Sequence, residues 1–465
     1  MDLTAYHAQI GWDNGRVPVP ADVIDCPNMG AFTTQLARAL PGGDLNNQVV
    51  KLHLSNGNVD YGAIGIRNYN GPGLEIYGNE DGSTVVRAGA GGSMSEANFA
   101  CFRLGSADGA RQTNRNVSIY NLDLRGGGSL GTTNGVNWGV ILGAAFDGDE
   151  NRGNVFNIHV QGVRASDVRQ EGFKTDGNGG TDGVTIQQCT VRRTGLAYTP
   201  GTSNGFGEGF YFGDGNTGRP YFNALLDRCH AFDITMGEGV EFKRGGTNNG
   251  VVDSLFHDIL IDNGGAIKFE DNDGSYFAHG NIVYNVSSTP DSDHEGVGIL
   301  LTGGGNVTNN IVWNCERACS AFVLSQDPGL SSVLRHNTML VGSAEAAYAF
   351  TLGNFGDGSR THEQTVVVVD DIVNGTESAN AYASATFDTQ TATFVGPTTG
   401  AADAGTGPGS GFFVSGGAAR NAVASSPVTA DLRGLTRTFP TDAGALDSDV
   451  TDAPPPPTMV RCFSL

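Results

Sequence analysis

Short apolar runs separated by small polar residues recur along most of the chain. From Val184 onward, apolar triplets recur about every 26 to 40 residues, the period of one wide solenoid coil. The triplets are Val117-Ser118-Ile119, Val184-Thr185-Ile186, Val251-Val252-Asp253, Phe277-Ala278-His279, Val307-Thr308-Asn309 and Val333-Leu334-Arg335. Gly and Asn between the runs supply the positive φ angles that tight corners need. The pattern predicts an all-β solenoid of short stacked strands.

A second series lies out of phase with the first and indicates one strand repeated on successive coils. Its members are Glu171-Gly172-Phe173-Lys174-Thr175-Asp176, Glu208-Gly209-Phe210-Tyr211-Phe212-Gly213-Asp214, Glu238-Gly239-Val240-Glu241-Phe242-Lys243-Arg244, Gly264-Gly265-Ala266-Ile267-Lys268-Phe269-Glu270-Asp271 and Glu295-Gly296-Val297-Gly298-Ile299-Leu300. Side chains alternate between the two faces of a strand. We therefore expect Val240 and Phe242 to point inward, while Glu241 and Lys243 point outward.

The two ends of the chain differ from this repetitive middle. Residues 29–40 read as a short amphipathic helix that caps the open core of the solenoid, and residues 49–54 read as the first strand. Asn281 and Asn310 begin equivalent strands, so we expect them to bond from coil to coil. The predicted organisation is an N-terminal cap (1–45), a parallel β-helix (46–450) and a Pro-rich tail (451–465).

Composition narrows the possible partners. The formal net charge is −22, which argues against nucleic acid or an anionic membrane as a partner. An acidic polymer needs a local cationic patch to bind such a protein. No apolar run approaches the roughly 18 residues of a transmembrane helix. We expect a secreted monomer whose signal peptide is not part of this sequence, since Met1-Asp2-Leu3 does not begin one.

The cysteines leave two interpretations open. Cys189 and Cys229 would bridge neighbouring coils, and Cys315 and Cys319 would bridge within one coil, in an oxidising compartment. Buried free thiols are the alternative.

The middle third resembles the pectate-lyase superfamily of right-handed parallel β-helices, and within it the family 9 polysaccharide lyases. The resemblance lies in Glu171-Gly172-Phe173, Gly207-Glu208-Gly209-Phe210-Tyr211 and the segment from Gly237 to Gly246. It implies cleavage of an acidic polysaccharide, a lysine base at Lys243, and calcium held by acidic side chains. Glu replaces the family's Asp before each Gly, and Tyr211 stands where a calcium-ligand Asp would be.

Lysine is scarce, yet three of the four lysines fall on the repeated strand: Lys174, Lys243 and Lys268. β-Elimination from a uronide needs a base for the C5 proton and a cation for the developing charge. We expect Lys243 to be the base, with Arg244 and Lys268 lowering its pKa and Lys268 binding the substrate carboxylate. The two lysines can exchange roles, and a structural ladder of Lys–Glu pairs explains the same spacing.

The remaining candidates complete the predicted face. Those for substrate binding are Lys174, Tyr211, Glu241, Glu270 and His294, and those for calcium are Glu171, Asp176, Glu208 and Asp214. Tyr276 is a further candidate for stacking on a sugar ring, with core packing as the alternative. A glycoside hydrolase that pairs Glu241 with Glu270 or Asp176 with Asp214, an epimerase, and a non-catalytic carbohydrate-binding or adhesive β-helix stay open as alternatives.

Overall fold

Three parallel sheets, each built from one strand per coil, run along the molecule. The computed structural model describes residues 15–87, 100–105, 113–131, 135–143, 154–175, 181–198, 207–213, 221–243, 246–262, 264–289, 296–321, 331–341, 348–352, 364–373, 376–379, 383–390, 393–394, 414–416 and 423. Their pairing confirms the predicted fold, a right-handed parallel β-helix.

The first sheet, called the site sheet below, carries the repeated strand of the second series. Its strands are Ile64–Ile66, Ala100–Leu104, Trp138–Leu142, Phe173–Thr175, Phe210–Phe212, Val240–Lys243, the first parts of Gly265–His279 and Val297–Thr308, Arg317–Ala321, Tyr348–Leu352 and Thr376–Ala379.

The second and third sheets follow in each coil. The second sheet contains Ile24–Asp25, Val49–His53, Gly73–Tyr77, Thr113–Tyr120, Asn154–Gln161, Thr181–Gln187, Tyr221–Phe222, Leu225–Asp227, Gly250–Val252, the second parts of Gly265–His279 and Val297–Thr308, Ser331–Arg335, Gln364–Val373 and Ala383–Gln390. The third contains Asp60–Tyr61, Val85–Arg87, Asp123–Arg125, Arg164–Ser166, Thr190–Thr194, His230–Thr235, Leu255–Ile261, Ile282–Ser288, Ile311–Cys315 and Thr338–Val341. A small antiparallel pair joins Thr393–Phe394 to Val414–Gly416.

The predicted helix is present as Met29–Ala39. The side chain of Asn28 caps its first turn by accepting a hydrogen bond from the Ala31 amide, at 2.9 Å. Phe32 and Leu36 are buried in the same core as the first coil. Val49–His53 is not the first strand. The strand Ile24–Asp25 precedes the helix and pairs with Val49–His53. None of the described residues forms a helix with the length and hydropathy that a membrane crossing requires.

An asparagine ladder joins the coils at the corner between the second and third sheets, as predicted. The Asn281 amide donates to Asn310 Oδ1, and the Asn310 amide donates to Asn337 Oδ1, each at 2.9 Å. At the neighbouring position of this corner Asn309 has a φ of 57°, a left-handed conformation that Asn tolerates better than most residues.

The structure corrects the alignment of the apolar triplets and decides between the two interpretations of Cys189 and Cys229. The apolar triplets belong to one sheet, but their alignment is out by one or two residues. Val251 pairs with Ala278 rather than Phe277, and it stacks through Leu226 in line with Ile186 rather than Val184. Cys189 and Cys229 lie on neighbouring coils as buried free thiols, so the thiol alternative holds for that pair. Cys319 and Cys462 lie outside the residues whose side chains are described.

Candidate functional site

The first four repeated strands stack in the inward and outward register that the sequence predicted, but the fifth is two residues out, because Ile299 rather than Val297 pairs with Ile267. Lys174 pairs with Tyr211, Tyr211 with Glu241, and Glu241 with Lys268 on consecutive coils of the site sheet. Lys243 lies two residues beyond Glu241 and pairs with Glu270. The three lysines therefore project from the same outward face of one sheet.

Aromatic side chains fix this register from inside the helix. Val240, Phe242, Ile267 and Phe269 are fully buried in the core, as their alternation predicted. The Phe242 ring stacks on Phe212 of the previous coil with centroids 4.5 Å apart. A slip by one residue would move these rings to the outside, so burial specifies which residues face outward.

A Glu-Gly pair precedes three strands of the site, Phe173–Thr175, Phe210–Phe212 and Val240–Lys243, and the backbone requires the glycine of each pair. The amides of Gly172 and Gly209 donate to the carbonyls of Glu208 and Glu238 on the next coil, which stacks the glutamates in one column. A Cβ at Gly209 would lie 2.6 Å from the carbonyl oxygen of Gly239. Only glycine allows the coils to approach this closely. Glu171, Glu208 and Glu238 therefore form one column along the edge of the site sheet.

Lys174 is held at one end of the site by a carboxylate and two aromatic rings. Its ammonium lies 2.8 Å from Glu171 Oε1 and 5.4 and 5.0 Å from the ring centres of Trp138 and Tyr211. The Trp138 indole donates to Glu171 Oε2 at 2.5 Å. Trp138 was missed from the sequence, although Trp138-Gly139 occupies the strand position that Glu-Gly takes on the following coils.

Lys268 lies at the other end, inside a ring of three carboxyl groups. Its Nζ is 2.7 Å from Glu241 Oε1, 3.2 Å from Glu238 Oε1 and 3.2 Å from Glu270 Oε2. The side chain is only 11% exposed. Burial lowers the pKa of Lys268, but the three carboxyl groups outweigh it and raise the pKa well above the ordinary lysine value. The three carboxyl groups therefore favour the charged form of Lys268.

Lys243 is the least tightly paired ammonium of the three. Its nearest described carboxylate oxygen is Glu241 Oε2, at 3.7 Å, and its side chain is 24% exposed. The Tyr211 ring centre is 5.6 Å away. The expected fall in the pKa of Lys243 is wrong: burial and Lys268 lower the pKa, but Glu241 and Glu270 outweigh them and raise it.

Three buried glutamates lie beneath this ammonium surface. Carboxylate oxygens of Glu208, Glu238 and Glu241 all lie within 4.8 Å of one another. Glu208 Oε2 is buried with no hydrogen-bond partner among the described residues. Burial, reinforced by neighbouring carboxylates, raises the pKa of Glu208 well above its usual value and that of Glu241 to about 8. Burial raises the pKa of Glu270 as well, but the positive charges of Lys268 and Lys243 have the larger effect and lower it.

The predicted substrate and calcium residues are only partly brought together. Tyr211 and Glu241 are on the site face but nearly buried, so Glu241 supports the lysines from below. Of the predicted calcium set, Glu208 joins the glutamate group while Glu171 is engaged by Lys174 and Trp138. Tyr276 packs edge-on against Phe269 in the core, so the core alternative holds. Arg244, His294, Asp176 and Asp214 lie outside the described residues.

Comparison with known proteins finds similarity in structure only. No protein-family model and no curated protein matches the chain. An alginate lyase from Paenibacillus sp. str. FPU-7 is 16% identical with a TM-score of 0.48, covering 78% of this chain and 98% of that one. Pectate lyase Pel9A is 13% identical with a TM-score of 0.47, covering 89% and 90%. The A-module of the Azotobacter vinelandii mannuronan C-5 epimerase AlgE6 is 13% identical with a TM-score of 0.45, covering 78% and 94%. The parallel β-helix itself is established by the strand pairing of this chain.

Proposed function

We propose that the site sheet binds an acidic polysaccharide and cleaves it by β-elimination, with Lys243 as the base. The observation that carries the proposal is the arrangement of the three lysines on one face. Two of them are fixed by carboxylates at 2.7 to 3.2 Å, and Lys243 between them has no carboxylate oxygen of the described residues closer than 3.7 Å. A group that must release and accept a proton needs this looser pairing.

The face suits an anionic polymer despite the negative charge of the whole protein. The ammonium groups of Lys174 and Lys243 reach the surface, with side chains 21% and 24% exposed, above buried glutamates. Uronate carboxylates would approach the ammonium groups first, and the buried carboxyl groups stay out of contact. Local charge therefore decides attraction at short range, because screening weakens the field of distant groups. A polymer substrate also suits the secreted location expected from the sequence.

The reaction assigns separate tasks to the lysines. The C5 proton passes to Lys243 Nζ, the C5–H electron pair forms the C4–C5 double bond, and the glycosidic C4–O bond breaks. The leaving oxygen keeps the electron pair of that bond and takes a proton from water. Lys174, held by Glu171 and two rings, is placed to neutralise a uronate carboxylate, whose charge increases as the proton leaves.

The raised pKa of Lys243 predicts an alkaline enzyme. Only the neutral amine accepts a proton, and below its pKa the neutral fraction grows tenfold with each pH unit. We therefore expect kcat to rise with pH from 7 to above 9, and to rise less steeply once the pH reaches the pKa of Lys243. A rate that is level across this range would contradict a lysine base.

The decisive variant is Lys243→Arg, which keeps the positive charge but cannot act as a base in this range. We expect kcat on the best of polygalacturonate, alginate and glycosaminoglycans to fall by a factor of about 10² or more. KM should change little, since the cation remains. The assay follows the ultraviolet absorbance of the unsaturated uronide. Lys51→Arg, on the second sheet and paired with Asp22 at 2.9 Å, is the matched control and should retain full activity.

A hydrolase is the second candidate, because the pKa values of Glu241 and Glu270 are pushed in opposite directions. A protonated acid beside an ionised carboxylate is the pattern of glycoside hydrolysis. The 1% exposure of the Glu241 side chain opposes direct contact with a sugar. Reducing ends without the chromophore would indicate hydrolysis. Exchange of the C5 hydrogen with deuterated water, without cleavage, would indicate epimerisation, and binding alone would indicate an adhesive β-helix.

A further inference from the structure

The group of Glu208, Glu238 and Glu241 has the donor atoms of a cation site. Their carboxylate oxygens lie within 4.8 Å of one another, and Glu208 Oε2 is a buried acceptor that no described donor reaches. Carboxylate oxygen is the ligand that calcium prefers. The resemblance to family 9 lyases also implies calcium in this region. The question is whether a metal ion fits among the side chains that are present.

Lys268 stands in the way of a metal ion. Its ammonium is 3.2 Å from Glu238 and 2.7 Å from Glu241, so two of the three carboxylates already share a cation. A divalent ion ligated by the same oxygens would lie next to this ammonium, and like charges at that separation repel strongly in a buried site. Calcium takes six to eight oxygen ligands, and Lys268 already engages one oxygen each of Glu238 and Glu241. The described residues do not fit calcium.

The charges of the site show what the ammonium of Lys268 contributes. The described groups of the site are five carboxyls (Glu171, Glu208, Glu238, Glu241 and Glu270) and three ammonium groups. Fully ionised, they carry two excess negative charges. Loss of the Lys268 charge would leave a third negative charge beside Glu208.

We propose that Lys268 is a built-in counter-ion that takes the place of a divalent cation in the Glu208, Glu238 and Glu241 group. The native protein then binds no calcium there, and its site is assembled without metal. The substitution Lys268→Met removes the ammonium and keeps an apolar side chain of similar length. We expect the carboxylates of Glu208, Glu238 and Glu241 to bind calcium in this variant. This inference concerns ion binding by the protein alone and does not depend on the proposed reaction.

Calcium titration by calorimetry at pH 7, after treatment with a chelator, tests the proposal. We expect no saturable heat for the native protein up to 1 mM calcium (about the concentration that weak extracellular calcium sites require) and one saturable site in Lys268→Met. Lys268→Arg, which keeps the charge, should bind none. Lys268→Met combined with Glu208→Gln should lose the gained site. Lys51→Met is the control for removal of a lysine outside the site.

Two results would overturn the inference. One is calcium binding by the native protein that Glu208→Gln abolishes, because lysine and metal would then coexist. The other is a folded Lys268→Met protein, shown by a native circular-dichroism spectrum, that binds no calcium. If Lys268→Met folds only when calcium is added, the ion is replacing the ammonium, as proposed. If Lys268→Met does not fold at all, the calcium titrations of the native protein and of Glu208→Gln still decide whether the native site binds calcium. Failure of either kind leaves the lyase assay unaffected.

Discussion

Replacing Glu241 by Gln tests the electrostatics of the site in a way that needs no substrate. The Glu241 side chain is 1% exposed, and burial together with Glu238 raises its pKa from 4.5 to about 8. Between these two pH values the folded protein keeps a proton that the unfolded chain has released. The stabilisation is thus complete below pH 4.5 and is lost as the pH rises towards 8.

The size of the effect follows from the shift in pKa. One pKa unit corresponds to 1.36 kcal/mol, so this carboxyl makes the free energy of unfolding fall by about 5 kcal/mol between pH 4.5 and pH 8. A glutamine resembles the protonated acid in shape and does not titrate. Glu241→Gln should therefore remove a slope of about 1.4 kcal/mol per pH unit, and its stability relative to the native protein should improve steadily with pH.

Urea unfolding at pH 5, 6, 7 and 8 measures this slope, and infrared spectroscopy of the protonated carboxyl band checks its origin. The band should persist at neutral pH in the native protein and weaken in Glu241→Gln. Exposed Glu80, which accepts a hydrogen bond from the Val19 amide, provides the control Glu80→Gln. The same pH slope in Glu241→Gln as in the native protein would refute the reasoning, because Glu241 would then be ionised in the folded state.

Two further predictions concern the scaffold. Asn310→Ala removes the centre of the asparagine ladder and leaves buried backbone groups unpaired, so it should lower the free energy of unfolding in urea by about 3 kcal/mol. The control Asn58→Ala, at an exposed position, should change this free energy by less than about 0.5 kcal/mol. Equal losses in the two variants would contradict a role for the ladder. Gly209→Ala places a Cβ 2.6 Å from the Gly239 carbonyl oxygen and should cost about 1–3 kcal/mol, measured as a lower thermal midpoint. Gly62→Ala, with open space around its Cβ, should be tolerated, and an unchanged midpoint in Gly209→Ala would show that the coils separate without cost.

The stacking register was predictable because its signal is local and repeated. Glu-Gly followed by alternating side chains marks one position of the coil, so the alignment of Phe173, Phe210 and Val240 followed from the sequence. The apolar triplets carry no such marker, since a short run of apolar residues does not show which of its members faces the core. Their alignment was accordingly one residue out at Ala278.

The roles within the site were less predictable, because they depend on distances between coils. Lys174, Lys243 and Lys268 look alike in the sequence. Only the structure shows that Lys268 contacts three carboxyl groups while Lys243 contacts one loosely. The expected direction of the Lys243 pKa was wrong because its cationic neighbours were weighed and the glutamates stacked beside it were not.

The sequence alone thus determined the architecture, the outward face and the three lysines on it, because strand alternation and coil period are encoded in consecutive residues. The tertiary structure decided which carboxyl groups keep their protons, which ammonium is loosely held and where Trp138 joins the site. Those properties arise from burial and from charges brought within about 4 Å across coils, and Coulomb energies at that range depend on separations and on a local dielectric that the order of residues does not specify.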